Sequence, residues 1–536
     1  MRRRPMNYQQ LTEAERITLN TSMFKAYDIR TKSEHVSKEL SIRLLEAIAR
    51  YYHEILSVDT IVLGRDARLA APRLMEEALE IFPTFGLDVI VNPLQSSTCQ
   101  FYFSCMQHPS AGGIMFTASH NPGEYIGLKL VAPPLQALAL GAGPKGGITA
   151  IRDFYAAGSN KPSTKTRGRV YIRRYLDQFI DYSRSLAGVH ETTLKGVPIM
   201  VDFLSGAAGT EVAEALIRSG ADLTVRNLIP DGTFPAGEPN PIALESLRPT
   251  TELMKKGDWA FGFAFDGDGD RMDLMDRHGV QVPPSFNLSI LIPEVRSYFE
   301  SVHAQGYWGS APFNPQLFYD VKANPLSIVL QAKAGMGVHI IRNGHSFIKE
   351  ALRKNLDDQY VLASEESAHY YMNFPYDLND LSKGFASTEN TLFFALLTAR
   401  MYSQYPEKYE QAMKLQHSIH RRREWPCHFF DDKHLKPVVS EVERIFADRG
   451  LTVFKEMEDG SSLDATLMRK GLPLKIDESS DLEGSWLQVA QRISRSEEGI
   501  ARWEVASSTK EGLDEAVGLI MAVTDRYVER GEAKYI

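Results

Sequence analysis

Three aspartates stand at alternate positions, Asp266, Asp268 and Asp270, in the run Phe265-Asp266-Gly267-Asp268-Gly269-Asp270-Arg271. In an extended loop, side chains at i, i+2 and i+4 face the same side. The glycines between them permit the curvature that lets three carboxylates converge, an unfavourable arrangement unless a cation sits among them. Hard oxygen donors suit Mg²⁺ or Ca²⁺. A calcium-binding EF-hand loop needs Gly at its sixth position and Glu at its twelfth, where this chain has Arg271 and Arg277. The bland alternative, a solvated acidic turn, sits poorly with the strongly apolar stretch 259–265 that precedes the aspartates.

A second cluster occupies residues 116–122, where Thr117, Ser119, His120 and Asn121 follow the end of an apolar strand and precede Pro122. Ser119 is thereby presented on a loop, as a nucleophile must be. Lys129, ten residues on, is expected to fold back across a turn at Gly127 and bring its ammonium near that hydroxyl. Taken alone, the segment also reads as an ordinary Asn-Pro turn with a capping serine. Serine, lysine and a metal-binding carboxylate loop together suggest phosphoryl transfer, in which catalysis is mostly positioning and charge neutralisation. A phosphate on Ser119 would join the aspartates around the metal, and Arg271 would hold another of its oxygens.

The elements that must position these groups read as α/β layers over the first ~400 residues, short apolar runs alternating with amphipathic stretches. Ile42, Leu45, Ala49, Tyr52 and Leu56 recur at helical spacing, and residues 60–63 read as a buried strand ended by a turn at 64–66. Further strands are expected at 113–116, 198–203, 261–265 and 360–363, each followed by polar residues where ligands bind in open α/β sheets. Residues 133–147 read as a loop and 158–168 as a polar linker. Gly141, Gly143 and Gly146 spell GxGxxG, but Pro144 interrupts it and no helical pattern is seen to start there, so a dinucleotide site is not expected. After about residue 405 the texture changes to charged helices and isolated strands, ending in a helix with Leu513, Ala516, Val517, Ile520 and Tyr527 on one face.

The chain has 536 residues, enough for several domains. Its formal net charge of −8 supplies no general attraction to nucleic acid or an anionic membrane, which leaves a small anionic ligand held by local basic clusters. Cys99, Cys105 and Cys427 form no CxxC pair and fit buried thiols in a reducing compartment. The basic start Met1-Arg2-Arg3-Arg4-Pro5 is followed by polar residues rather than an apolar stretch, so no export signal is expected. No apolar run reaches ~18 residues, so no membrane span is expected either.

On these residues the chain resembles the α-D-phosphohexomutases, particularly the phosphomannomutase/phosphoglucomutase branch. Residues 24–30, Phe-Lys-Ala-Tyr-Asp-Ile-Arg, look like that branch's N-terminal signature; 117–122 match its phosphoserine loop and 266–271 its metal loop. The resemblance implies that Tyr27 and Arg30 border the phosphoserine. Residues 364–369 resemble the sugar-recognition loop, usually GEMSGH, so that Glu365 and Ser367 would bond the sugar's O3 and O4, accompanied by His369. Residues 492–497 resemble the phosphate loop RPSNTE, so that Arg492, Ser494 and Ser496, with Arg502 further on, would hold the phosphate that is not transferred. Lys322 and His345 lie in segments that often approach the ligand. The sequence departs from the family pattern at Ile126, Thr31, Glu366, Ala368 and Arg495, the last adding a guanidinium to the phosphate loop.

The fold implied is three similar α/β domains with mixed sheets around a central cleft, at 1–168, 169–282 and 283–405, plus a smaller C-terminal α+β domain at 406–536. The chemistry implied is transfer between O1 and O6 of a hexose phosphate through a phosphoserine enzyme and a hexose 1,6-bisphosphate, with Mg²⁺. Recognition through O3 and O4 suits a substrate that must turn end over end. Lys129 is the candidate base, its pKa pushed down by Arg30 and Arg271 and up by metal-bound phosphate, with His120 second. A phosphoglucosamine or phosphopentose mutase, or a sugar-phosphate-binding pseudoenzyme, would fit the same motifs. A cytoplasmic monomer or homodimer acting on a small sugar phosphate, without nucleic acid or membrane, is expected.

Overall fold

The computed structural model describes residues 12, 15–16, 20–158, 160–162, 166–306, 311–354, 360–480, 482–494 and 497–536. Arg495 and Ser496 of the expected phosphate loop, and the basic start of the chain, lie outside the described residues. The chain divides into two compact units, Met1–Gln281 with Ala368–Ser403, and Val282–Ser367 with Gln404–Ile536.

In the first unit the leading strands are Ile29–Lys32 (β1), Thr60–Arg65 (β2), Asp88–Val91 (β3), Gly112–Phe116 (β4), Tyr125–Ala132 (β5), Gln136–Ala137 (β6) and Val170–Ile172 (β7). They form a sheet in the order β1-β5-β4-β2-β3-β7, with β6 beside β5. β4 is buried at all five positions, as a strand covered on both faces must be. The cover includes helix Lys38–Arg50, whose Leu40, Leu44 and Ile48 form its buried stripe and whose Ser37 accepts a hydrogen bond from Leu40 N. One apolar core joins these residues to Ile61, Leu63, Ile114, Phe116, Ile126 and Leu128.

Several expectations shift here. β2 runs on through Gly64 and Arg65 rather than turning there. Gly127 lies inside the unbroken strand β5, opposite Arg30, so the reversal that returns Lys129 toward the serine is the loop between β4 and β5. A helix does begin straight after the glycine run, at Gly147–Ala157. The strand before it, β6, is a two-residue antiparallel stub, not the parallel strand of a dinucleotide-binding βαβ unit.

The second sheet of this unit holds Pro198–Asp202 (β8), Asp222–Arg226 (β9), Phe261–Phe265 (β10) and Met272–Asp276 (β11), ordered β11-β10-β8-β9; Gln281–Val282 (β12) follows, where the chain passes to the second unit. In the second unit Gln316–Asp320 (β13) lies between Gly337–Ile341 (β14) and Val361–Glu365 (β15), both parallel to it. The same plan recurs three times: a first strand between two parallel partners, with the functional loop leaving the third. Those loops are 117–124 after β4, 266–271 after β10 and 366–368 after β15. His369–Pro375 (β16) and Phe385–Glu389 (β17) form an antiparallel hairpin in the first unit.

The C-terminal part of the second unit is an antiparallel sheet of His420–Phe429 (β18), Thr452–Glu456 (β19), Ser462–Lys470 (β20), Leu487–Ile493 (β21), Ile500–Ser507 (β22) and Ala533–Tyr535 (β23), ordered β19-β20-β21-β22-β18-β23. Helix Lys510–Glu529 presents the expected face, Ala516 and Ile520 being packed into a core with Trp425, Val489, Trp503 and Val505. Mixed α/β architecture is thus borne out. Among the described residues, no helix is long and apolar enough to cross a membrane.

Candidate active site

Ser119 sits at φ 51°, in the left-handed region that a residue with a side chain occupies only when its surroundings hold it there. Two restraints are visible. Its N–H donates to Thr117 Oγ1 at 2.9 Å, and its carbonyl accepts from Arg68 Nη2 at 2.7 Å. Arg68 is wholly buried and also donates to the carbonyls of Asn121, Pro122 and Tyr125, so one guanidinium fixes the entire loop. Asp66, beside it at 3.2 Å, is pushed up to about 6 by burial, against the pull of Arg68. Neither residue was singled out from the sequence; the signal available was a charged pair directly after an apolar strand.

The metal loop approaches the same serine. Ser119 Oγ donates to Asp266 Oδ2 at 3.1 Å and lies 3.3 Å from His120 Nδ1. A Cβ on Gly267 would stand 2.7 Å from the Ser119 carbonyl oxygen, so that position must be glycine for the loops to meet. Gly269, at φ 70°, supplies the second bend. Arg271 donates its N–H to Asp266 Oδ1 at 3.1 Å, and its Nε lies 3.9 Å from Oδ2. Arg30 bonds Asn121 of the serine loop on one side and Asp28 on the other, and Tyr27 lies half-buried just before β1.

Asp266, Asp268 and Asp270 are all at most 1% exposed, and carboxylate oxygens from the three lie within 4.8 Å of one another. Among the described residues, Asp268 Oδ1 and Asp270 Oδ1 are buried and accept no hydrogen bond, the latter facing His369 Nε2 at 3.5 Å. Buried acceptors left unsatisfied are costly, and hard oxygens converging in this way fit a divalent cation. Burial, with Asp268 and Asp270 alongside, pushes the Asp266 carboxyl well up. Burial works against the charge of Asp270 too, but Lys129 and His369 outweigh it and hold that carboxyl well below its usual range.

Lys129, whose balance of opposing influences is open from sequence, lies among the aspartates. Its Nζ donates to Asp268 Oδ2 at 2.7 Å and to Asp270 Oδ2. Burial alone would lower its pKa; the carboxylates of Asp268, Asp270 and Asp266 more than reverse this and hold it well above an ordinary ammonium. The expected depression by Arg30 and Arg271 is overridden because the charges nearest Nζ are carboxylates. His369, expected among the sugar contacts, places Nε2 3.5 Å from Asp270 Oδ1 and stacks on Tyr371. Glu389, unmarked in the sequence reading, completes a buried group with His369 and Asp270. Ile126, one of the positions departing from the family pattern, lies in the apolar core, 1% exposed.

A second constellation lies wholly within the second unit. Glu365 Oε1 accepts from Gly344 N and Asn343 Nδ2, each at 3.1 Å, and His345 opens the helix that follows. Ser367 is half-buried. Arg492 and Arg502 face each other across β21 and β22, an arrangement of like charges that needs a counter-ion. Glu424 supplies it, accepting from Arg492 Nε at 3.1 Å and Nη2 at 3.0 Å and from Arg502 Nη1 at 3.2 Å, with Lys322 Nζ 3.7 Å away. Burial opposes its charge, yet Arg492, Lys322 and Arg502 hold its carboxyl far below the usual value. A break in register between Arg422 and Trp425 of β18 lies where Glu424 turns to them. Ser494 Oγ lies 3.3 Å from Glu497 Oε2. Arg492, Arg502 and Lys322 are therefore gathered around a carboxylate that the sequence did not announce, and Ser494 is linked to them through Glu497, which also pairs with Arg502.

Comparison with known proteins places these features in context. Residues 21–137 match the family described as phosphoglucomutase/phosphomannomutase, alpha/beta/alpha domain I, and residues 173–279 match domain II. A phosphomannomutase of Escherichia coli strain K12 is 31% identical over 357 residues, 65% of this chain and 72% of that protein. A protein described as phosphohexose mutases from Xanthomonas campestris pv. campestris is 29% identical over 431 residues, 80% and 86% of the two chains. A crystal structure of a phosphoglucomutase/phosphomannomutase family protein from Burkholderia thailandensis superposes with a TM-score of 0.72 at 19% identity, covering 94% of this chain and 98% of that one.

Proposed function

We propose, from the premise that the chain belongs to the α-D-phosphohexomutase family, that this phosphohexomutase interconverts the 1- and 6-phosphates of glucose, mannose or both by way of a phosphorylated Ser119. The observation that carries the reading is the meeting of Ser119 Oγ with Asp266 at 3.1 Å beside the buried Asp268 Oδ1, which accepts no hydrogen bond among the described residues, and Asp270 Oδ1, which faces only His369 at 3.5 Å.

Asp266, Asp268 and Asp270, with the Ser119 phosphate, would hold Mg²⁺, which when bound supplies positive charge against the transferring phosphoryl group. Arg271 and Arg30, on either side of Ser119, orient that group. Lys129, held protonated by two carboxylates, keeps positive charge at the site rather than taking a proton. The proton of the attacking hydroxyl goes to an imidazole, and the two in the cluster are His120 beside Ser119 Oγ and His369 beside Asp270. In the second unit, Glu365 and Ser367 receive the middle hydroxyls. Arg492, Ser494 and Arg502, with Lys322 and His345 and, outside the described residues, Arg495 and Ser496, receive the phosphate that is not transferred. Attack by O6 on the seryl phosphate gives the 1,6-bisphosphate; after the sugar turns over, Ser119 takes back the phosphoryl group from O1. We place this activity in the cytoplasm.

The test is the intact mass of freshly purified protein followed by peptide mapping. A phosphate adduct on the peptide spanning 117–122, lost together with turnover of glucose 1-phosphate and mannose 1-phosphate in Ser119→Ala, is expected. Undiminished turnover in that variant would falsify the mechanism.

A further inference from the structure

The sugar-recognition loop carries a glutamate, Glu366, where the resemblance leads one to expect methionine. Its side chain is 3% exposed. Oε1 accepts from Ser285 N at 3.2 Å, in the first turn of helix Pro284–Ala304. That helix has no side-chain cap of its own, since Pro283 precedes it, so Glu366 satisfies an N–H that the helix leaves open. Oε2 accepts from Arg421 Nη2 at 3.1 Å. Arg421 in turn donates through Nε to Glu504 Oε1 at 2.6 Å. The backbone N–H of Glu366 donates to Asp320 Oδ2 at 3.3 Å, and Asp320 accepts from Asn343, which also donates to Glu365.

One acidic residue thus ties the loop to three elements of the second unit: the end of β13, a helix N-terminus and strand β18. A carboxylate inserted among Asp320 and Glu504 would be repelled without Arg421, whose guanidinium Glu504 and Glu366 hold well above its ordinary value against the effect of burial. Arg421 lies three residues before Glu424 on β18, so the strand that braces the sugar loop is also the one that holds the paired arginines. A methionine could fill the space but could neither bond Ser285 N nor fix the loop to β18.

We propose that Glu366 is a positioning residue for sugar recognition: its bond to Arg421 sets the posture of the loop bearing Glu365 and Ser367, and so sets affinity for the middle hydroxyls of the substrate. This rests on the mutase reading above. Removing the brace leaves the phosphoserine loop and the Arg492–Glu424–Arg502 group untouched, so the effect falls on substrate binding rather than on chemistry.

Glu366→Met, Glu366→Gln and Arg421→Met, alone and with Glu366→Met, are compared with the parent for KM and kcat on glucose 1-phosphate and mannose 1-phosphate, for phosphate content at Ser119, and for melting temperature. Glu366→Met is expected to raise KM about tenfold, the worth of one charge-assisted hydrogen bond, with kcat changed less than about threefold and Ser119 phosphorylation intact. Glu366→Gln, which keeps the bond to Ser285, falls between. Arg421→Met raises KM at least as much, since it also takes a donor from Glu504 and from the Lys322 carbonyl, and the double variant falls well short of additivity because the two residues share one bond. Parental KM in Glu366→Met, or fully additive effects, would overturn the inference; so would a lowered melting temperature with KM unmoved, the mark of a purely structural bridge. If Glu366→Met does not fold, Glu366→Gln carries the same comparison. A parent that turns over neither sugar phosphate and carries no phosphate at Ser119 sinks the mutase reading itself, an outcome distinct from a working mutase whose KM ignores Glu366.

Discussion

At the scale of the residue, the site is an exercise in holding like charges together. Three buried aspartates are tolerable because Lys129 neutralises part of their charge and their converging oxygens form a group able to hold a divalent cation. Lys129→Met therefore leaves uncompensated carboxylates in the interior, a loss on the order of 3–5 kcal/mol for a buried pair broken from one side. Chemical denaturation is expected to show a loss of that size, with added Mg²⁺ recovering part of it. Gly267→Ala makes a different point. The Cβ would stand 2.7 Å from the Ser119 carbonyl, so the serine and metal loops must separate. Because misplacement near 1 Å costs roughly a hundredfold in rate, kcat should fall by about that factor while the melting temperature moves little. The three aspartates stood out by their spacing, and Ser119 only beside them and through the family resemblance. Arg68, Glu389 and Glu424 were not, since an arginine or glutamate is ordinary in sequence and becomes notable only once burial and partners are known.

At the scale of the element, helix Gly209–Arg218 carries a buried acid, Glu211, whose carboxyl burial pushes up to about 8 against hydrogen bonds from Ser97. Ser97 caps helix Thr98–Met106, and Thr98 donates to Asp268 Oδ2 at 2.6 Å, so this acid stands behind the metal loop. Its folded pKa exceeds its unfolded value of ~4.3, so the folded state binds the extra proton. That stabilisation is fully present below the unfolded value and is lost as pH rises toward about 8. The slope is ~1.4 kcal/mol per pH unit. Glu211→Gln removes the titration, so its stability relative to the parent should climb between about pH 5 and about pH 8, and denaturant melts at the two values check it. A flat difference would mean that Glu211 is ionised in the folded protein. The elements themselves were largely readable: β4, β10 and the last helix fall where apolar runs and helical spacing put them. The reading failed at Gly127 and at Gly147, because glycine marks backbone freedom without saying whether a neighbouring strand has come close or a helix is about to begin.

At the scale of the whole molecule, each unit has its own apolar core, one built on Ile114 and Phe116, the other on Trp425 and Trp503. Unfolding should accordingly depart from two-state behaviour, with a calorimetric enthalpy larger than the van't Hoff value. Mg²⁺ should raise the temperature of the transition that contains the first unit, since a ligand stabilises only the structure that binds it, and Asp268→Asn should abolish the shift. A single endotherm with equal enthalpies would contradict the first expectation. The sequence by itself determined the family, the α/β texture and the order of the functional loops, because those depend on residue types at short spacing. The tertiary structure alone decided that Lys129 is an ion-pair partner, that Glu424 binds the paired arginines and that Glu366 braces a loop. Each of those depends on which charge stands nearest in space, and residues about 55 to 140 positions apart in the chain acquire that relation only when distant strands pair into one sheet or loops and strands of different sheets pack together.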